Sequence, residues 1–137
     1  MPTNIESGMS AVRTLEVTSE KVRLFAEITG DYNPLHFDEE FTAGTRFGSS
    51  GRLLAQGGIA TGLLHALIAM DLPGPGSVFM TQQWSFPKPV FIGDTLTATG
   101  IIKSWRTARS MGVMEFEVTN LDGEAVLRGE ATVYRAI

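Results

Sequence analysis

The sequence contains no cysteine, no run of basic residues and no apolar stretch long enough to span a membrane. Without cysteine, disulfide frameworks, thiolate zinc sites and cysteine nucleophiles are excluded, and the composition fits a reducing cytoplasm. The net charge of -4 argues against nucleic acid as the main partner. Residues 57–70 form the longest apolar stretch and fall short of the roughly 20 residues that a membrane helix needs. We therefore expect a cytoplasmic protein with neither a nucleic-acid nor a membrane partner.

The N-terminus also lacks the features of a signal peptide. Residues 1–17 have neither a basic start nor an apolar stretch, which predicts a chain that is neither exported nor cleaved. With 137 residues and 43% hydrophobic content, the chain can bury one core but is short for two. We expect a single domain over residues 1–137, in which residues 1–10 are a mobile lead-in.

Two segments have the pattern of helices. Residues 18–30 begin with hydroxyl residues that can cap a helix, place Val22, Phe25 and Ile28 at helical spacing, and end at Gly30. A second helix, beginning at Gly57 or Gly58, is apolar on nearly every side, which predicts that it is buried. Prolines end this helix after Asp71.

The rest of the chain has the pattern of strands and one long loop. Residues 12–17 and four later segments alternate apolar and polar side chains, and Asp122-Gly123 is typical of a hairpin turn. Between the helices, a long irregular segment with one helical turn at residues 38–43 is expected, and such loops are commonly lids or site walls. Because no βαβ alternation occurs, the pattern predicts an antiparallel sheet that wraps around the buried helix. A free sheet edge then favours a homodimer.

Asp31 and His36 are candidates for acid/base chemistry in the segment ITGDYNPLHFDEE. Histidine titrates near neutrality, and a nearby carboxylate can orient it or share proton transfer. The alternative is structural: Asp31 caps a turn and His36 binds a backbone carbonyl. Asn33 has the same ambiguity, because Asn-Pro commonly begins a turn.

The glycines that begin the buried helix are candidates for binding an anion. The first amides of a helix are unpaired and lie at the positive end of its dipole, and glycine has no side chain to block a ligand. Such amides can stabilise a carbonyl oxygen that gains negative charge. Alternatively, the two glycines only allow a tight turn into the helix.

Residues 25–43, FAEITGDYNPLHFDEEFTA, resemble the signature of the MaoC-like, (R)-specific enoyl-CoA hydratase family. The likeness extends to the segments GGIATGLL, LPGPGSVF and WSFPKPVFIGDTLTATG and covers residues 17–102. It implies an α+β hot dog fold, in which an antiparallel five-stranded sheet wraps a central buried helix and a long segment overhangs between the two helices.

The resemblance also implies an activity. It is the reversible hydration of a trans-2-enoyl-CoA to an (R)-3-hydroxyacyl-CoA by a homodimer, in fatty-acid metabolism or polyhydroxyalkanoate supply. By position, Asp31 and His36 match the catalytic pair, the amide of Gly57 matches the oxyanion donor, and Asn33 is expected to orient the loop or the water. Neither a cofactor nor a metal is implied, since coenzyme A enters as part of the substrate.

This chain departs from the family pattern at two positions. Many relatives have His-Gly-Met before the helix, where this chain has Gln56-Gly57-Gly58. A helix serine that bonds the aspartate in many relatives is replaced by His65. We expect His65 either to be a satisfied core residue, or to brace Asp31 or contact substrate.

An apolar wall for the acyl chain is expected in the loop, and its candidates are Phe41, Phe47, Leu53 and Leu54. Trp84 and Phe86 are expected in the core. The cations available for the phosphates of a carrier are Lys88, Lys103, Arg106 and Arg109.

Three other functions compete with this hypothesis. The first is dehydration of 3-hydroxyacyl groups on acyl carrier protein, which the net acidic charge disfavours. A thioesterase is less favoured, because its sites generally lack this aspartate and histidine arrangement. The third is a non-catalytic acyl-thioester-binding subunit, against which the intact set of Asp31, Asn33 and His36 argues.

Overall fold

The computed structural model describes residues 4–137, which form one five-stranded antiparallel sheet and three α-helices. The strands are β1 (Ser10–Glu16), β2 (Ser77–Ser85), β3 (Thr95–Arg106), β4 (Met111–Thr119) and β5 (Ala125–Arg135), in the spatial order β1-β3-β4-β5-β2. The helices are α1 (Ser19–Thr29), α2 (Glu39–Ala43) and α3 (Gly57–Ala66), and α3 continues into a π-helical turn, Leu67–Asp71. The predicted α+β arrangement is confirmed.

Helix α3 packs against one face of the sheet. Together with its π-helical extension it contacts β1, β2 and β3. The hydrophobic core that includes this interface contains the fully buried side chains of Leu64, Leu67, Ile68, Leu96, Ile102, Met114, Leu127 and Val133. Burial of one such side chain contributes about 1.5–3 kcal/mol, so this layer is the main source of stability. The sheet therefore packs along one side of a central helix, as in the hot dog fold.

Helix α1 has the ends that the sequence predicts, but a different buried face. The side chain of Thr18 caps its first turn, and Gly30 ends it in the left-handed region with φ of 81°. Val22 and Ala26 are buried, whereas Ile28 is 84% exposed, so the helical spacing of Val22, Phe25 and Ile28 does not mark one buried face. At 3.6 residues per turn, Ile28 lies roughly 200° around the helix from Ala26 and faces solvent.

The segment before β1 packs on β3. Residues 1–3 of the predicted mobile lead-in lie outside the described residues. In the remainder, Ile5 is buried, the amide of Gly8 donates to the carbonyl of Ile102 at 2.8 Å, and the hydroxyl of Ser7 donates to the carbonyl of Lys103 at 2.9 Å.

The long segment between α1 and α3 is attached to the fold by its backbone. The carbonyl of Leu53 accepts from the amide of Ile92 at 2.9 Å, and the amide of Ala55 donates to the carbonyl of Val90 at 2.8 Å. The predicted helical turn is present as α2, capped by the side chain of Asp38. Within residues 4–137, no helix has the length and apolar character needed to cross a membrane.

Candidate active site

Asp31 directly follows the glycine that ends α1. Its backbone amide donates to Oγ1 of Thr29 at 3.1 Å, and its Oδ1 accepts from the amide of Asn33 at 3.2 Å. These two bonds hold the carboxylate at the beginning of the next turn. The side chain remains 42% exposed, so its second oxygen is accessible to a ligand.

His36 lies in a 3-10 turn, Pro34–His36, and its side chain is only 8% exposed. Its Nδ1 is 2.8 Å from the carbonyl oxygen of Leu54. A carbonyl only accepts, so Nδ1 bears the hydrogen and the neutral ring has its lone pair on Nε2. Nε2 lies 3.8 Å from Oδ2 of Asp31, too far for a direct hydrogen bond and close enough for one water to contact both atoms. The structure thus brings the two predicted residues together.

Asn33 holds the turn that contains His36. Its side-chain oxygen accepts from the amide of Leu35 at 3.1 Å, and Pro34 occupies the first position of the turn. Proline fixes φ near the value that such a turn needs. Of the two roles expected for Asn33, this contact corresponds to orientation of the loop.

The amide of Gly57 is free at the beginning of α3. The preceding Gln56 makes no side-chain bond to the helix, and the Gly57 amide has no hydrogen-bond partner among residues 4–137. A Cβ at position 57 would lie 3.2 Å from the ring of Phe86, so glycine keeps the approach open. An oxygen of a ligand can therefore reach an amide at the positive end of the helix.

A cavity of about 320 Å³ adjoins Gly57. It is lined mainly by apolar residues, among them Phe47, Leu54, Ala55, Phe86, Pro89 and Val90. Because Leu54 lines the cavity and its carbonyl holds His36, the cavity and the Asp31–His36 pair meet at this residue.

The four residues expected to form an acyl wall are divided between different places. Phe47 and Leu54 line the Gly57 cavity. Leu53 lines a second cavity of about 210 Å³ beside α2, and Phe41 is 49% exposed on α2 without lining the Gly57 cavity.

His65 is exposed, so the prediction of a buried position is wrong. Its ring packs edge-on against Phe79 with centroids 4.8 Å apart, and its Nε2 lies 3.4 Å from Nε2 of Gln82. No contact between His65 and Asp31 occurs in the described part of the chain. The physical reason is that the sheet covers only part of α3, leaving the side with Gly62 and His65 open.

The two aromatic residues expected in the core differ in position. Trp84 packs edge-on against Phe79 and Phe116, with centroids 5.9 and 5.6 Å apart, as predicted. Phe86 lies beyond the end of β2, is 51% exposed and lines the Gly57 cavity, so its core assignment is wrong. The following Pro87 is the signal that could have shown this, because proline cannot donate to a sheet ladder.

Sequence reasoning missed the structural role of Gln56. The residue is 2% exposed, and its Nε2 donates to the carbonyl of Val22 at 3.0 Å. This bond ties α1 to the residue that precedes Gly57. Nothing in the local sequence indicates a partner 34 residues away.

The four candidate cations also lie in different places. Lys88 lines the Gly57 cavity. Lys103 is on the strand β3 and pairs with Glu130 and Glu115; hydrogen bonds with these two carboxylates raise the pKa of Lys103 above its ordinary value. Arg106 and Arg109 are exposed at the turn between β3 and β4.

Comparison with known proteins identifies the family. The MaoC like domain model matches residues 1–123. A 3-hydroxybutyryl-CoA dehydratase of Methylorubrum extorquens is 37% identical over 95% of this chain and 80% of its own length, and an (R)-specific enoyl-CoA hydratase of Aeromonas caviae is 32% identical over 95% of both chains. The solved structure of the (R)-hydratase from A. caviae superposes with a TM-score of 0.88 at 31% identity, covering 97% of this chain and 98% of that one. The chain therefore belongs to the MaoC-like family of hot dog hydratases and dehydratases.

Proposed function

We propose that this protein adds water to trans-2-enoyl-CoA thioesters, giving (R)-3-hydroxyacyl-CoA, and catalyses the reverse dehydration. The observation that supports this most directly is the pairing of Asp31 with His36. The 3.8 Å between Oδ2 and Nε2 suits a single water, and the Leu54 carbonyl keeps the lone pair of His36 on Nε2. The A. caviae relative, matched along 95% of this chain, is named for this reaction.

In the hydration direction, the water oxygen bonds to the β-carbon and gives one proton to Nε2 of His36. The carboxylate of Asp31 accepts a hydrogen bond from the same water and stabilises the imidazolium that forms. The imidazolium then returns the proton to the α-carbon, which regenerates the neutral ring. Because oxygen and proton come from the same side, the addition is syn.

The amide of Gly57 stabilises the charge that this addition creates. As the nucleophile adds, electrons move onto the thioester oxygen, and a helix amide without an internal partner can donate to it. Removal of one such donor typically costs about 3 kcal/mol of transition-state stabilisation. The apolar lining of the cavity accommodates the acyl chain beside this donor.

The proposal is tested with crotonyl-CoA, whose conjugated absorbance disappears on hydration. Asp31→Asn retains an oxygen that can accept from the Asn33 amide, and His36→Gln retains an N–H that can donate to the Leu54 carbonyl. Each variant, together with His36→Ala, should lower kcat by at least roughly 100-fold, because each loses a group that handles a proton.

Asp38→Asn is the matched control. Asparagine caps helices as well as aspartate does, and Asp38 only caps α2, so activity should stay at the wild-type level. Circular dichroism and thermal unfolding establish that all variants are folded. Wild-type turnover in folded Asp31→Asn and His36→Gln proteins would refute the mechanism.

A further inference from the structure

Lys88 supplies the charge in the Gly57 cavity. Among the residues of the described chain that line this cavity, Lys88 is the only charged one. Its side chain is 57% exposed, and its Nζ lies 3.8 Å from Oε2 of Glu124. Lys103, by comparison, lies 2.6 Å from Glu130 and 3.3 Å from Glu115. The charge of the Lys88 ammonium is therefore less neutralised than that of Lys103, and this ammonium can bind an anion at the cavity.

The backbone around Lys88 has little freedom. Prolines on both sides of Lys88 restrict φ at positions 87 and 89. The ring of Phe86 adjoins Gly57, and the carbonyl of Val90 accepts from the amide of Ala55 at 2.8 Å. The segment thus runs along the side of the cavity, with Phe86 beside Gly57 and Val90 hydrogen-bonded to Ala55.

We propose that Lys88 binds a phosphate of the carrier arm of the thioester, while Phe86 packs against the pantetheine chain that joins this phosphate to the reacting group. The inference rests on the proposed function, since it assumes a thioester whose oxygen lies at the Gly57 amide. Gly57, Phe86 and Lys88 line the same cavity, and the flexible four-carbon stem of Lys88 lets its ammonium lie at a distance from the Gly57 amide. A thioester whose oxygen is at Gly57 can therefore extend past Phe86 toward Lys88.

The chemistry that Lys88 recognises is shared by two carriers. Coenzyme A and the phosphopantetheine of an acyl carrier protein both have a phosphate at the end of the pantetheine chain. A lysine ammonium is a compact point charge that suits phosphate and imposes no planar geometry on it. Lys88 accordingly favours the binding of thioesters that have a phosphate over the binding of thioesters that lack one.

The test measures binding, because binding does not depend on turnover. Butyryl-CoA, a saturated thioester that cannot be hydrated, and butyryl-pantetheine, which has no phosphate, are titrated into wild type, Lys88→Gln, Lys88→Glu and Lys103→Gln by calorimetry. For butyryl-CoA, Kd should rise roughly fivefold in Lys88→Gln, the upper range for one exposed charge pair, and further in Lys88→Glu. For butyryl-pantetheine, Kd should be the same in all four proteins.

Lys103→Gln is the matched control, since it removes one lysine charge on β3, away from the cavity, and should leave both affinities unchanged. A butyryl thioester of acyl carrier protein is titrated as well. If the Lys88 variants lose affinity for only one of the two phosphate-bearing thioesters, that thioester contains the carrier that Lys88 recognises. Unchanged affinity for both of them, or an equal loss for butyryl-pantetheine, overturns the role of Lys88. Failure of wild type to hydrate crotonyl-CoA while these binding differences persist would count against the proposed function alone.

Discussion

At the residue scale, neighbouring glycines of α3 have different surroundings. A Cβ at Gly58 would collide with the ring of Phe25, whereas a Cβ at Gly62 would have no atom within 4 Å. Gly58 thus permits α1 and α3 to approach closely. Gly62 has no such role and only lowers the helix propensity of α3.

Gly58→Ala and Gly62→Ala should therefore change stability in opposite directions. Gly58→Ala should lower the free energy of unfolding by about 1–3 kcal/mol because the ring of Phe25 must leave its packed position. Gly62→Ala should raise the free energy of unfolding by roughly 0.5–1 kcal/mol, because alanine loses less backbone conformational entropy than glycine on folding. Urea denaturation of both variants measures the difference, and equal midpoints would contradict the packing described for Gly58.

At the element scale, the end of α1 determines where Asp31 lies. Gly30 has φ of 81° and Gly123, in the β4–β5 hairpin, has φ of 77°; neither would bring a Cβ within 4 Å of another atom. The two positions therefore impose the same kind of backbone strain on alanine. They differ in the residue that comes next, since only Gly30 precedes a candidate catalytic residue.

Gly30→Ala and Gly123→Ala should each cost about 1–2 kcal/mol of stability, the strain of a left-handed non-glycine residue. Only Gly30→Ala should also lower kcat, because the strained cap shifts the Asp31 carboxylate relative to His36. Thermal unfolding and crotonyl-CoA hydration are measured on the same preparations. A fall in kcat of equal size in Gly123→Ala would show that the loss reflects general destabilisation.

The features that local sequence predicts are those that local interactions produce. The Thr18 cap, the Gly30 terminus and the hairpin at Gly123 arise from side chains acting within a few residues. The Asp31–His36 pair is predicted by its motif. The contact of Gln56 with Val22 and that of His36 with Leu54 depend on how distant segments pack.

The errors have the same origin. The predictions for His65 and Phe86 rest on apolar neighbours in the sequence, which cannot show which side of α3 the sheet leaves open or where β2 leaves the sheet. A pattern of hydrophobic residues predicts that an element is buried, but it does not predict which of its faces remains exposed to solvent.

At the scale of the whole molecule, the sheet has two edges, β1 and β2. Val78 on β2 is 51% exposed and Val12 on β1 is 60% exposed. The β2 edge is longer, with nine residues against seven, and exposed Met80 adds to its apolar character. A longer edge strand with exposed apolar side chains favours pairing with a second copy of the chain.

We expect a homodimer in sedimentation velocity, formed through β2. Val78→Lys should shift the distribution toward monomer, because a charge on the edge opposes strand pairing. Val12→Lys, which adds the same charge to the other edge, should leave the dimer intact. A monomeric wild type, or a dimer lost only in Val12→Lys, would contradict this assembly.

The position of Leu54 has a consequence for how this enzyme can diversify. Its backbone carbonyl fixes the tautomer of His36, while its side chain lines the cavity. Every residue type has that carbonyl, so natural variation at position 54 can reshape the cavity without removing the hydrogen bond to His36. Under the proposed mechanism, the side chain of residue 54 then sets substrate selectivity while its backbone carbonyl serves the acid/base chemistry, and a lineage can alter the first and conserve the second.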